Sequence, residues 1–200
     1  MAIKPVVTLA LIGIVAAAVL AAVNLATRDR IELEQRRQVL QTLNQLVPTE
    51  SYDNELVSDR ISAWIAGLQP PSTLYRARSR GEPVALLAEI TTADGYSGPI
   101  SLLVGLRPDG EIIGVRVLGH RETPGLGDRI ERRRSDWLEQ FNGSAPDRPP
   151  AADWRSSRRG GEFDTLSSAT ITSEAVIQAV RSLLDWYAAN RDQAFATAAE

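Results

Sequence analysis

Hydroxyl side chains crowd the segment Asp164–Ser173 (DTLSSATITS): Thr165, Ser167, Ser168, Thr170, Thr172 and Ser173. An apolar stripe follows at once. Val176, Val180, Leu183, Leu184 and Tyr187 repeat at helical spacing and predict an amphipathic helix over Thr172–Tyr187. Thr172 or Ser173 is a natural N-cap for it. A helix N-terminus also offers unpaired N–H groups and the positive end of the helix dipole. An anion near Thr170 would be stabilised there. Composition alone leaves this segment open between a capping loop and an anion site.

Two further segments could do chemistry. Gly119–Ile130 (GHRETPGLGDRI) lies between a predicted strand and a predicted helix. Pro124, Gly125 and Gly127 make it a tight loop whose backbone can approach a planar ligand or a phosphate. It lacks the Lys-Ser/Thr of a Walker A loop and the spacing of GxGxxG. A plain strand-to-helix turn is the alternative. Asp94–Ile100 (DGYSGPI) reads by itself as a turn carrying one aromatic, Tyr96. His120 is the sole histidine; no acid–base role is assigned to it, since a structural hydrogen-bonding role beside a Gly-rich loop is an equal reading.

The elements that must position these segments follow from periodicity. Leu74–Ser79, Pro83–Thr92, Gly98–Leu106 and Glu111–Leu118 are extended apolar runs. Arg107-Pro108-Asp109-Gly110 separates the last two as a hairpin turn, because Pro presets φ and Gly tolerates positive φ. Three or four mostly antiparallel strands are expected. Helices are expected over Asp59–Leu68, closed by Pro70-Pro71, and over Asp128–Phe141. Asn142–Gly161, rich in Pro, Gly, Ser and Arg, reads as a long surface loop. The fold class is α+β, a mostly antiparallel sheet packed with helices.

The chain has 200 residues, with 22 Lys+Arg against 25 Asp+Glu for a net charge of −3. There is no Cys, which excludes disulfides, thiolate zinc sites and protein-ligated iron–sulfur clusters. No metal site is expected. The arginine clusters 129, 132–134 and 155, 158, 159 read as solvated faces or as docking surfaces for an acidic partner subunit. No aromatic interleaving accompanies them, so nucleic acid is not an expected partner.

Val6–Val23 (VVTLALIGIVAAAVLAAV) carries no charge, and the uncharged stretch runs on to Thr27. As a helix it matches the thickness of a bilayer's hydrocarbon core. One N-terminal transmembrane helix is expected within residues 1–27, in preference to a cleaved signal peptide, whose apolar core of about 7–15 residues is shorter, and to a buried core helix. A helical connector over residues 28–72 follows, in which Arg28–Val47 forms a polar helix. Lys4 precedes the span, while Arg28, Arg30, Arg36 and Arg37 follow it. That count alone favours a cytoplasmic C-terminal domain.

The motifs GYSGPI, HRETPGLGD and SSAT, in this order behind an N-terminal anchor, resemble one family. The chain looks like the G subunit of the Rnf (Rsx) ion-translocating electron-transport complex. It is also similar to the C subunit of the sodium-translocating NADH:quinone reductase, which shares the FMN-binding domain. The resemblance implies an FMN-binding domain over residues 73–200. It also implies covalent FMN, joined by a phosphodiester to the threonine that ends the SGAT-type motif, here Thr170. Ser167, Ser168 and Ala169 complete that motif, with Ser168 in place of the usual Gly, and Asp164 fits its upstream acidic position. Thr172 and Ser173 would flank the phosphate. Glu122, Thr123, Pro124, Gly125, Leu126 and Gly127 would cradle the isoalloxazine, with backbone donors to its carbonyl oxygens and Leu126 on its face. Tyr96 and Ser97 would complete the site.

The function so implied is that of an electron-transfer subunit of a membrane-bound ion-translocating oxidoreductase, a translocase, with no hydrolytic chemistry of its own. Its partners would be the membrane, the other subunits of the Rnf-type complex, and a flavin transferase that uses FAD and Mg²⁺. The resemblance places the chain in the bacterial inner membrane as a single-pass protein with its flavin domain on the periplasmic side, against the charge count. Two other readings stay open: a membrane-anchored flavin-binding regulatory or sensory module, and a structural subunit without flavin.

Overall fold

The structure is a computed structural model and describes residues 13, 14, 17 and 36–196. The expected span Val6–Val23 lies outside the described residues apart from residues 13, 14 and 17, as does the connector before residue 36. Among the described residues no helix is long and apolar enough to cross a membrane. The chain divides into two units, Met1–Gln41 and Thr42–Glu200. In the first, the described residues 36–41 are helical.

The second unit is built on a five-stranded sheet. Its strands are β1 (Arg60–Ala63), β2 (Ser72–Ser79), β3 (Glu82–Thr92), β4 (Ile100–Leu106) and β5 (Ile112–Gly119). They pair in chain order and every pair is antiparallel. The β4–β5 hairpin turns where expected, with the Gly110 N–H donating to the Arg107 carbonyl at 2.9 Å. The strand count is one or two higher than sequence spacing predicts, because Asp59–Leu68 is not a helix. Its first half is β1, registered with Arg60 opposite Tyr75 and Ala63 opposite Ser72. A four-residue edge strand takes its conformation from its neighbour rather than from its own periodicity.

The long C-terminal helix, Thr170–Phe195, covers one face of the sheet. Its Val176, Ile177, Val180, Leu183, Leu184 and Tyr187 join Leu74, Leu86, Ala88, Ile90, Leu102, Val104 and Val115 in one core. The opposite face is buried as well. There Leu46 lies over the paired Gly105 and Gly114, where a Cβ on Gly114 would come within 2.8 Å of it. Burial on both faces is why β4 is apolar without interruption instead of alternating. Its Leu102, Leu103 and Val104 are all fully buried.

Two other expectations differ. Asp128–Phe141 is not one helix but two 3₁₀ turns, Gly127–Ile130 and Trp137–Phe141. Three successive arginines between them turn outward to separate carboxylates, Arg132 to Glu139, Arg133 to Glu131 and Arg134 to Asp128. Asn142–Gly161 is not simply a surface loop either. It carries the buried Trp154, whose ring centroid lies 4.6 Å from that of Phe163, itself 5.0 Å from Phe141.

Candidate functional site

The C-terminal helix starts earlier than its apolar stripe suggests. Thr170 is its first residue and Ala169 its N-cap, with no capping side chain. Thr172 and Ser173, the expected caps, sit inside the first turns and are fully buried. Ser173 Oγ donates to the Ala169 carbonyl at 2.9 Å and accepts from the Leu166 N–H at 3.0 Å. It thereby shapes the loop that enters the helix. The first-turn N–H groups are therefore left without a side-chain partner, and Thr170, half-buried, stands at their edge.

Glu122 gathers the three motifs at this point. Its side chain is buried, and one oxygen accepts from the Ser97 N–H at 3.0 Å. The other accepts a short hydrogen bond from the Thr172 hydroxyl. Gly127 packs directly against it: a Cβ there would stand 2.8 Å from both Cβ and Oε2 of Glu122 and 3.1 Å from Thr172 Oγ1. Only the absence of a side chain at position 127 lets the loop, the carboxylate and the helix meet.

His120 supports Glu122 from behind. Its Nδ1 accepts the Glu122 N–H at 3.0 Å and its Nε2 faces Glu131 Oε1 at 2.9 Å. With Nδ1 accepting, the ring carries its proton on Nε2 and donates it to Glu131. The Arg133 guanidinium, and then His120, hold the Glu131 carboxyl down to about 2. Both histidine nitrogens thus make hydrogen bonds within the structure.

A cavity of about 580 Å³ opens over this junction, within the range of roughly 300–1,000 Å³ usual for small-molecule sites. Tyr96, Glu122, Thr123, Leu126, Gly127, Ser167, Ser168, Ala169, Thr170 and Thr172 line it, together with Ile171. Residues as distant in the chain as Tyr96 and Thr172, from three separate motifs, are brought to one hollow. Tyr96, Leu126 and Ile171 are large apolar side chains left exposed there. Ser97 supports the cavity through its backbone, while Pro124, Gly125 and Ser173 do not line it. Asp164 is exposed and also stands apart from the lining, its carbonyl accepting from Trp137 Nε1 at 2.8 Å.

The donors differ from expectation. The Leu126 and Gly127 N–H groups both turn onto the Thr123 carbonyl at 3.1 Å, and the Gly125 N–H onto Asp128 Oδ1 at 2.8 Å. The loop's own geometry spends them, so it presents side chains and shape rather than a row of free amides. Sequence reasoning also passes over Arg158 and Ile171. Arg158 belongs to a 3₁₀ turn, Ser157–Arg159, and its Nη1 lies 3.4 Å from Thr170 Oγ1. The order of the sequence holds no signal for that approach. Ile171 is legible as the neighbour of Thr170.

The FMN-binding domain family matches residues 95–185, and the RnfG N-terminal region matches residues 1–46. The G subunit of the ion-translocating oxidoreductase complex of Pseudoalteromonas atlantica is 40% identical, over 96% of this chain and 91% of its own. The G subunit from Shewanella baltica is 38% identical, over 94% and 90%. That from Pseudomonas aeruginosa is 39% identical, over 94% and 89%. Among solved structures, Shewanella oneidensis NqrC matches with a TM-score of 0.48 at 21% identity, covering 74% of this chain and 70% of that one.

Proposed function

The chain belongs to the family of G subunits of ion-translocating oxidoreductase complexes and carries an FMN-binding domain, and from that premise we propose that it transfers electrons through FMN held as a phosphodiester on Thr170. One observation carries the reading: Thr170 begins a helix and lines a cavity formed by all three motifs.

The residues present fit the group. Leu126, Ile171 and Tyr96 offer apolar surface for a flat ring system. Thr170 offers a hydroxyl at a helix start, where a diester's single negative charge gains roughly 0.3–1 kcal/mol from the dipole when exposed. Glu122 holds the Tyr96–Ser97 turn and the helix start at a fixed separation, so the cavity keeps its shape. When bound, FMN supplies one- and two-electron redox chemistry, and the chain supplies orientation. A covalent tether keeps the ring at high effective concentration beside its pocket.

Attachment needs a dedicated flavin transferase with FAD and Mg²⁺. Thr170 Oγ1 gives up its proton to solvent and bonds to the flavin-side phosphorus as the phosphoanhydride bond opens and AMP leaves. The complex's other membrane subunits are the electron partners. A single-pass anchor within residues 1–27 would hold the chain in the inner membrane, with the flavin domain on the periplasmic side that the family resemblance implies against the flanking charges.

Mass mapping of the peptide containing Ser167–Ser173 from native membranes tests the reading. A gain of one FMN less one water on Thr170 is expected. Flavin fluorescence should travel with the chain on a denaturing gel and vanish in Thr170→Ala. An unmodified peptide, or fluorescence surviving in Thr170→Ala, overturns it. Thr172 offers no ready alternative, since its hydroxyl is buried against Glu122.

A further inference from the structure

We propose that Arg158 is the cation that holds the flavin phosphodiester; the inference rests on attachment at Thr170. Arg158 is exposed, and among the described residues it pairs with no carboxylate. Its neighbour Arg159 does, with Nη1 3.6 Å from Glu174 Oε1. The Arg158 guanidinium instead spans two neutral oxygens, with Nη1 3.4 Å from Thr170 Oγ1 and Nη2 3.3 Å from the Ser167 carbonyl. Both contacts exceed the usual range of about 2.7–3.2 Å. A full charge that makes only long hydrogen bonds to a neutral hydroxyl and a neutral carbonyl among the described residues is poised for an anion. A phosphorus ester-linked to that hydroxyl places its charged oxygens beside the guanidinium, whose planar fork suits them.

The turn that carries Arg158 is built to stay in place. The Ser157 N–H donates to the Phe163 carbonyl at 2.7 Å, and the Arg159 N–H to the Ser156 carbonyl at 2.8 Å. Gly160 closes the turn in the left-handed conformation, at φ 77°. Glu174, on the C-terminal helix, accepts from the Ser156 N–H at 3.4 Å and pairs with Arg159. The same helix therefore carries Thr170 and anchors the turn that brings Arg158 to it. Ordering is largely complete before any ligand arrives, which lowers the entropic cost of holding the diester.

The test uses the full chain with transferase, FAD and Mg²⁺, following intact mass against time in Arg158→Gln, Arg158→Lys and Arg155→Gln. Each loaded chain is then examined by phosphorus-31 NMR. Arg158→Gln should load roughly tenfold more slowly, the loss of one charge-assisted contact. Its diester resonance should move from that of the unsubstituted chain. Arg158→Lys should recover part of the rate, whereas Arg155→Gln, with the same charge change on the same loop, should match the parent. If a folded Arg158→Gln chain does not load, the diester resonance of the loaded Arg158→Lys chain decides in the same way, moved in support and unmoved against. An unmoved resonance in Arg158→Gln overturns it, whether or not loading slows, because slowing alone marks an encounter with the transferase. Equal slowing in Arg155→Gln overturns it too. A parent chain that gains no mass sinks attachment at Thr170 itself, an outcome distinct from all of these.

Discussion

The C-terminal helix Thr170–Phe195, kinked at Asn190, ends in opposite ways. At its C-terminal end Arg76 donates to the Ala196 carbonyl and Arg78 to that of Phe195. Both arginines also bind the Asp59 carboxylate, and Asn54 adds a hydrogen bond to it at 3.1 Å. Cations there match the negative end of the dipole and satisfy the last carbonyls. At the N-terminal end no side chain caps the first turn, and a cavity stands beside it. A carboxylate organises each end. Asp59 faces two cations, while Glu122 faces an amide and a hydroxyl. The closed end is complete as it stands. The open end keeps its dipole, its nearest hydroxyl and an arginine that, among the described residues, meets no carboxylate, for something the chain does not itself provide.

Substitutions at the two ends should therefore separate stability from loading. Arg76→Ala carries the largest expected cost, about 3 kcal/mol for breaking a largely buried ion pair, read by urea unfolding. Flavin attachment to the folded variant should be unchanged, and a parallel loss of loading would show that the ends are not independent. Glu122→Ala comes next. It leaves the Ser97 N–H and the Thr172 hydroxyl without their acceptor, at about 2 kcal/mol. Here loading should fall as well, since the cavity loses the residue that sets its width. A variant that loads at the parent rate would break the contrast. The smallest effect belongs to Glu131, held down to about 2 from an ordinary 4.5. A carboxylate with a depressed folded pKa stabilises above its unfolded pKa and loses that contribution as pH falls toward the folded value. Glu131→Gln should flatten the acid limb of stability between about pH 4.5 and 2. The change should be slight, since Arg133 is exposed and solvent screens the pair. Thermal melts across that range would read it.

What can be read from sequence is local. The β4–β5 hairpin announces itself through Pro108, Asp109 and Gly110, because a turn is decided by the residues within it. The apolar stripe from Val176 to Tyr187 marks the helix, although its start moves to Thr170 once Ser173 bonds back to Ala169. The edge strand Arg60–Ala63 is missed because its pairing with β2 is settled by residues in a later stretch of chain, Ser72 to Tyr75. Within the site, the three motifs are each visible as segments. That Glu122 binds them together is not, since its partners lie 25 and 50 residues distant. Arg158 is hidden among its neighbours in a cationic run, and nothing in such a run says which member turns toward a threonine.

Those same separations set an order of events. Bringing Ser97, Glu122 and Thr172 together closes long loops, and contacts of that kind form only as the native topology is achieved. A nascent polypeptide still short of residue 172 has no hollow to offer, however complete its sheet. Maturation of this protein is thus timed by its own architecture: the hollow waits for the start of the last helix, and a chain cut short of it has nowhere to seat a ring.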